Sequence, residues 1–395
     1  MTLIPVAEAQ ARMMALRPPL PIETVPLVQA NGRHAAVDVV AARTQPALDL
    51  SAMDGYAIRF AERPGPWTVI GESAAGGGLG RALAAGEAAR IFTGAPVPEG
   101  ADAILVQEEA ARDGDRLMMA GEGPRGPGAH IRRAGSDFAQ GDTLIAAGTA
   151  IGAAAIALAV SGGHGALAIR RRPRISILST GNELVRPGVP TSGALLPASN
   201  GPMLAAMLAG PTCIVTDHGI VRDDLDAIAA AFSALADQAN IIVTTGGASV
   251  GDHDLVLPAL QKAGARIDFW KVALKPGKPV MIGTLGEAIV LGLPGNPVSA
   301  FVTATLFLKP LVAHLLGARS PVPAPMLARI GAALPATGNR AEYLRGRWSE
   351  GRAVPVISQD SAGLVALVQA EMLIVRPPKS AALEPGADIE IIPLA

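Results

Sequence analysis

The sequence predicts a multidomain protein of α/β plus β class, in which a three-layer α/β domain is joined to smaller β domains. Three observations predict it. Between about residues 174 and 318, apolar strand-like runs alternate with stretches of helical spacing, the pattern of a largely parallel sheet covered by helices. From about 41 to 141, short apolar runs such as WTVIGES, AARIFTGAPVP, ADAILVQEE and DRLMMAGEG are broken by Gly or Pro every few residues, the punctuation of a small all-β unit. Finally, 395 residues are too many for one core, and a chain that is 50% hydrophobic can bury several.

The elements follow in order. Val6 to Leu16 reads as a short amphipathic helix, followed by the extended piece TVPLVQANGRHAAVDVVA. The most membrane-like run, TAIGAAAIALAVSGGHGALAI (149–169), is interrupted by Gly162, Gly163, His164 and Gly165, so it is expected as a buried helix over about 151–161 leading into a turn, not as a span. After the basic hinge RRRPR (170–174), ISILST reads as a strand, NGPMLAAMLAG as a helix, TCIVTDHGIV as a strand, RDDLDAIAAAFSALADQAN as a helix and IIVTTGG as a strand. DLVLPALQKAG then reads as a helix, and a longer one runs from Pro297 to about Leu316. Past the linker SPVPAP, runs such as ALVQAEMLIVRPP and ADIEIIPLA alternate as strands of a small β-barrel or sandwich.

Composition removes several function classes. With 33 basic against 34 acidic residues there is no global field to draw nucleic acid or an acidic membrane surface. Aromatic residues make up only 3% of the chain, too few for a base-stacking module. One cysteine, Cys213, excludes an intramolecular disulfide and a Cys-cluster metal site and fits a reducing, cytoplasmic setting. The opening MTLIPVAEAQARMMALRPP lacks a signal pattern. GEGPRG (121–126) has dinucleotide-type glycine spacing but lies among prolines with no helix after it, and Gly277–Lys278 is followed by Pro279 where a P-loop needs Ser or Thr.

What remains is local chemistry. STGNEL (179–184), TGGASVGDHD (245–254) and PGNPVSA (294–300) each follow an apolar strand and lead toward a helix through Gly, Pro and small hydroxyl residues. Such loops let backbone N–H groups reach a phosphate, beyond the carboxyl ends of the strands. Asn296 and Pro297 also have the form of a helix N-cap with Pro at the first helical position. KVALKPGKP (271–279) adds Lys271, Lys275 and Lys278 in an otherwise apolar, Gly and Pro setting. Acidic residues recur beside these segments: Asp54 in SAMDGY, Asp137 in RRAGSD, Glu183, Asp223, Asp252 and Asp254. Capping explains Asp223 and Asp224 equally well, but carboxylates interleaved with a Lys loop suit a divalent cation bridging phosphate oxygens. His253 reads as a turn residue. In RIFTGAPVPEGADAILVQEE (90–109), Thr93 sits between a strand and a Pro-rich turn, and spacing alone assigns it no role.

In this order, SAMDGYA, TGAPVPEGADAILVQE, RRAGSD, STGNEL, TGGASVGDHD, KPGKP and GLPGNPVSA resemble the molybdopterin molybdenumtransferase family, the MoeA proteins and the gephyrin E domain, over essentially the full chain. The resemblance implies an elongated homodimer with four domains per chain. These are a discontinuous linker and dimerisation domain (2–40 and 142–172), a β-rich insertion (41–141), an adenylyltransferase-like α/β molybdopterin-binding domain (173–318) and a C-terminal β-barrel (319–395). It implies the last step of molybdenum cofactor synthesis: adenylylated molybdopterin and molybdate bind, metal enters the dithiolene, the phosphoanhydride is hydrolysed and AMP leaves. The rival readings are molybdopterin adenylyltransferase and a non-catalytic molybdopterin carrier or scaffold. Two unit charges about 4 Å apart repel by roughly 4 kcal/mol at an effective dielectric near 20, so neighbouring oxyanions need fixed cations.

Carried over by motif, the catalytic set is Asp54, Thr93, Asp137, Glu183, Asp223, Asp254, Lys271 and Lys275. Asp223 and Asp254 would hold Mg²⁺ or orient the attacking water. Gly246, Gly247, Ser249, Lys278, Pro279, Asn296, Ser299, Arg345 and Ser361 would bind substrate, with Lys278, Pro279 and Ser299 forming the molybdate pocket and Arg345 and Ser361 adding to it. Asp54 and Thr93 would come from the partner subunit. Other implied partners are molybdopterin adenylyltransferase and the molybdoenzymes that accept the cofactor. One departure is visible, because the family commonly has Asp where Asn182 stands, which puts a secondary contact in question. No additional N-terminal adenylyltransferase-like domain precedes the matching motifs, so neither a fused bifunctional form nor a scaffolding role is implied.

Overall fold

Period-two alternation sets the central sheet. Ile175 and Ile177, Ile241 and Val243, and Ile289 and Leu291 point to one face, while Leu178, Ile242 and Val290 point to the other, and all are buried. A strand apolar on both sides needs cover on both sides. The computed structural model, which describes residues 3–246 and 255–394, supplies it. The helices Asn200–Met207 and Pro297–Thr303 pack on the first face, and Leu225–Ala236 and Val256–Lys262 pack on the second.

The sheet has six strands in the order Ile214–Val221, Arg174–Thr180, Ile241–Thr245, Ala288–Leu293, Pro279–Leu285, Arg266–Lys271. The first four run parallel and the last two join antiparallel, so the sheet is parallel where its loops carry the motifs. Ser179 pairs with Thr245, and Thr245 with Leu293, which brings three strand ends level with one another.

The chain packs as two compact units. One contains the residues up to Val37, 147–152 and those from Leu167 onward; the other contains 38–146 and 153–166. In the first, the helix Val6–Ala15 buries Ala9 and Met13 in the core of the α/β layers, as its amphipathic spacing predicts. The strand Ile22–Pro26 pairs with Ala166–Arg170. C-terminal strands form a second sheet, Leu274–Lys275, Ala341–Ser349, Met372–Arg376, Asp388–Pro393 and Met326–Arg329, with Arg352–Pro355 beside Ala341–Ser349. A bridge from Ile330 to Ala353 links the Met326–Arg329 end of this path to Arg352–Pro355. The 271–279 segment therefore serves both sheets.

The second unit is built on a six-stranded sheet, Ala103–Val106, Gly55–Ile58, Glu87–Ile91, Trp67–Ser73, Arg116–Met119 and Ala110–Asp113, over a core that includes Trp67, Leu105 and Leu117. The Ala-rich helix, Ala153–Ser161, corrects one expectation: only Ala159 in it is buried, and Val160 is 55% exposed. Its composition is apolar all round, so sequence alone marks no inward face. The one described helix long and apolar enough to cross a membrane is Pro297–Leu315. It is a core helix, with Val298, Val302, Phe307 and Leu311 fully enclosed.

Candidate functional site

The three level strand ends open into a cleft of about 770 Å³. Its walls come from the three loops singled out in the sequence and from the C-terminal domain: Thr180, Gly181 and Glu183; Thr245 and Gly246; Pro294 to Pro297 and Ser299; and Ala362 and Leu364. Gly246 has a φ of +89°, and a Cβ there would lie 2.4 Å from the carbonyl oxygen of Thr180, so this turn admits only glycine. A Cβ added at Gly295 would meet the Gly246 Cα at 3.6 Å, so the two loops face each other here without side chains. Ser179 and Thr245 share a hydroxyl hydrogen bond of 3.2 Å.

Carboxylates stand at the mouth. Glu183 and Asp223 are exposed and line the cleft. The two aspartates ahead of the helix Leu225–Ala236 divide their work. Asp224 is the cap, its carboxylate accepting the N–H groups of Asp226 and Ala227 at 3.1 and 2.8 Å. Asp223 instead accepts the Asn182 N–H at 3.0 Å, while the Asn182 side-chain oxygen accepts the Asp223 N–H at 3.2 Å. This reciprocal pair needs an oxygen acceptor at 182 but not a charge, so Asn serves there.

The lysine segment contributes Gly277 and Pro279 to the lining of the cleft, whereas Lys271, Lys275 and Lys278 are not among its lining residues. Gly277, at φ +104°, packs against Thr303, and an added Cβ would come within 2.5 Å of its methyl group. Lys278 and Lys275 are exposed, and Lys271 is half-buried. Lys275 is paired with Glu342 at 3.2 Å, a partner 67 residues away that sequence reading missed.

Opposite, Asn296 caps the helix beginning at Pro297 by position, yet its side chain makes no cap bond. Its Nδ2 donates to the Ser361 hydroxyl at 3.1 Å, and the Val298 N–H donates to the Ser361 carbonyl at 3.2 Å. Ser299 is buried behind them. Arg345 is 1% exposed and donates to the carbonyls of Asp360 and Ser358 at 2.8 and 2.9 Å. Its guanidinium thus shapes the loop that carries Ser361. Asn200, a cleft residue with no motif to flag it, donates from Nδ2 to the Gly295 carbonyl at 2.7 Å.

The remaining sequence candidates lie in the second unit or outside the described residues. Asp54 accepts both the N–H and the hydroxyl of Thr93, at 2.7 and 2.8 Å, and these bonds, with the nearby Arg90 charge, hold its carboxyl below the usual range. Gly55 beside it is obligatory, since a Cβ would fall 2.1 Å from the Leu105 carbonyl oxygen. Arg90 donates to the carbonyl of Gly55 and to Gln107 and sits over Tyr56 and Phe92, an arrangement that pairing of distant strands creates and local sequence hides. Asp137 is exposed and donates its N–H to Gln45. Gly247, Ser249, Asp252, His253 and Asp254 lie outside the described residues. Among the described residues, no group of three or more His, Cys, Asp or Glu converges in the manner of a metal centre.

Three family models match successive stretches of the chain. Residues 4–163 match the MoeA N-terminal region (domain I and II), 176–314 the "Probable molybdopterin binding domain", and 328–394 the MoeA C-terminal region (domain IV). A Haemophilus influenzae protein named molybdopterin molybdenumtransferase is 36% identical over 78% of this chain and 77% of its own length. A Nostoc protein of the same name is 34% identical over 94% of this chain and 88% of its own. The crystal structure of a molybdopterin biosynthesis MoeA protein from Pyrococcus horikoshii superposes with a TM-score of 0.86 at 25% identity, covering 99% of both chains.

Proposed function

Because the chain belongs to the MoeA family of molybdopterin molybdenumtransferases, we propose that its strand-end cleft receives adenylylated molybdopterin and that molybdate enters the dithiolene there, the two thiol protons leaving with one molybdate oxygen as water. Water opens the P–O–P bridge, AMP leaves with one phosphate, and the pterin keeps the other. The observation that carries this reading is the convergence of three Gly- and hydroxyl-rich strand ends with Gly277 and Pro279 on one cleft, whose Asn296 holds the Ser361 hydroxyl. Backbone amides and hydroxyls there suit phosphate oxygens. Lys271, Lys275 and Lys278 offset the repulsion between phosphate and molybdate, and Lys278, Pro279, Ser299 and Ser361 form the oxyanion pocket, braced from beneath by Arg345.

Asp223 and Asp254 would hold Mg²⁺ in this proposal, because carboxylate oxygens are what a hard cation takes; among the described residues Glu183 and Asp223 are the acidic ones that line the cleft, and they form no converging group of three. When bound, the ion neutralises charge on the phosphate oxygens. Asp223, fixed by Asn182, orients water toward the bridge. The proposal includes a homodimer in a cytoplasmic setting, in which Asp54 and Thr93 of the partner subunit join the reaction. Molybdopterin adenylyltransferase supplies the substrate, and molybdoenzymes accept the product.

The test is to add molybdate to the protein with adenylylated molybdopterin. AMP release that requires molybdate is expected. Binding without release would identify a carrier, and formation of adenylylated product from ATP and metal-free molybdopterin would identify the adenylyltransferase step instead.

A further inference from the structure

Asp54 stands on a turn whose backbone is held from two sides. The Gln107 N–H donates to the Asp54 carbonyl at 3.1 Å, and the next carbonyl, that of Gly55, accepts from Arg90 Nη1 at 2.9 Å. The other arm of the same guanidinium, Nη2, donates to the Gln107 side-chain oxygen at 2.8 Å. Arg90 therefore ties the residue that follows Asp54 to the residue that clasps it. Strand pairing places it there: Arg90 stands opposite Tyr56 in the antiparallel ladder, and its guanidinium carbon lies 5.2 Å from the Tyr56 ring centre and 4.7 Å from that of Phe92. A planar fork held against two rings keeps one orientation, which a lysine ammonium on its flexible stem does not.

The carboxylate that this frame presents has one oxygen committed and one spare. Both Thr93 bonds land on Oδ1 at the protein surface, whereas Oδ2 makes no hydrogen bond among the described residues and is not sealed in the interior. The Thr93 bonds and, after them, the Arg90 charge keep the carboxyl ionised. Sheet pairing does not call for the arginine, because the backbone ladder already runs from Gly55 to Ala57. We propose that Arg90 is a positioning residue for the reaction: clamped by Tyr56 and Phe92, it fixes the Asp54 turn through the Gly55 carbonyl and Gln107, so that Oδ2 is held ready to accept a hydrogen bond from water or substrate. Arg90 touches no reacting atom and acts only through Asp54. This rests on Asp54 joining the reaction, as the functional reading holds.

A double-mutant cycle on molybdate-dependent AMP release tests this, followed as single turnovers so that slow variants stay measurable. Arg90→Met should lower the rate at saturating adenylylated molybdopterin by about 10- to 100-fold, the scale of a misplaced group, with the half-saturating concentration within about twofold of the parent. Arg90→Lys keeps the charge but cannot span both acceptors, so it should recover only part of that loss. In the Asp54→Asn background, Arg90→Met should cost no more than about twofold further, because a residue that acts through Asp54 has nothing left to position. Equal losses in both backgrounds overturn the proposal, as do a parental rate in Arg90→Met, a loss confined to the half-saturating concentration, or full recovery in Arg90→Lys. If Arg90→Met does not fold, Arg90→Lys carries the same cycle; if neither folds, the arginine is a strand tie and the proposal fails. A slow Asp54→Asn with independent Arg90 losses sinks this inference alone. A parental rate in Asp54→Asn removes Asp54 from the reaction and the inference with it, and a parent that releases no AMP sinks the functional reading itself.

Discussion

Two cavities of the larger unit differ more in chemistry than in size. One, of about 490 Å³, lies among Pro5, Val6, Ala273, Val322, Pro323, Pro377 and Ile392. Its polar groups are already committed or neutral: Gln10 donates its amide to the Leu306 carbonyl at 2.7 Å, and burial pushes the Tyr343 hydroxyl up to about 12. The other, of about 770 Å³, has strand-end loops, hydroxyls and two carboxylates on its walls. The first resembles a gap between packed layers, whereas the second presents groups still waiting for partners. Unspent donors and acceptors, more than volume, mark the site.

Variants on the two sides of this contrast sharpen it. Lys275→Ala should lower molybdate-dependent AMP release by about 10²–10³-fold, the scale of losing a charge-stabilising group. Its thermal midpoint should barely move, because the Lys275 and Glu342 side chains are 55% and 20% exposed and a surface pair is worth about 0–1 kcal/mol. Asp223→Ala should cost about 10²-fold in the same assay. If instead Asp223→Ala unfolds the protein without a separable loss of activity, its carboxylate serves the Asn182 turn and little else.

The apolar cavity should respond to pH and not to substrate. Tyr343 is protonated in the folded state up to about 12, whereas an unfolded tyrosine ionises near 10. Its contribution is therefore complete below about pH 10 and is lost as pH rises toward 12, since over that interval the unfolded chain releases a proton that the folded chain keeps. Denaturant titrations should show roughly 2–3 kcal/mol of stability lost across this window, and a correspondingly smaller loss in Tyr343→Phe. The smallest effect is expected for Asn182→Asp. The acceptor for the Asp223 N–H survives, so AMP release should change by no more than about threefold.

Much of the α/β layer was readable because its signals are local. ISILST, IIVT and AIVLGL are apolar on both faces, and each is followed by Gly or Pro, so strand, loop and motif fall within a few residues. The parts that escaped depend on long-range pairing. Nothing within KVALKPGKP shows that Leu274–Lys275 joins a strand at Ala341–Glu342, and that pairing is what gives Lys275 its partner. Arg345 was expected at the oxyanion by motif, but its burial under the 358–360 carbonyls became visible only in three dimensions. Asn200 carries no motif of its own, and its bond to the Gly295 carbonyl, 95 residues away, is visible only in three dimensions. The Ala-rich helix failed for the opposite reason, because uniformly apolar composition carries no information about which side is covered.

The most direct measurement is a crystal structure with adenylylated molybdopterin and molybdate bound. The account predicts the ligand in the cleft at the ends of Arg174–Thr180, Ile241–Thr245 and Ala288–Leu293, and molybdate beside Lys278, Pro279 and Ser299. A ligand seated in the apolar cavity, or an oxyanion bound away from the 271–279 segment, would contradict it.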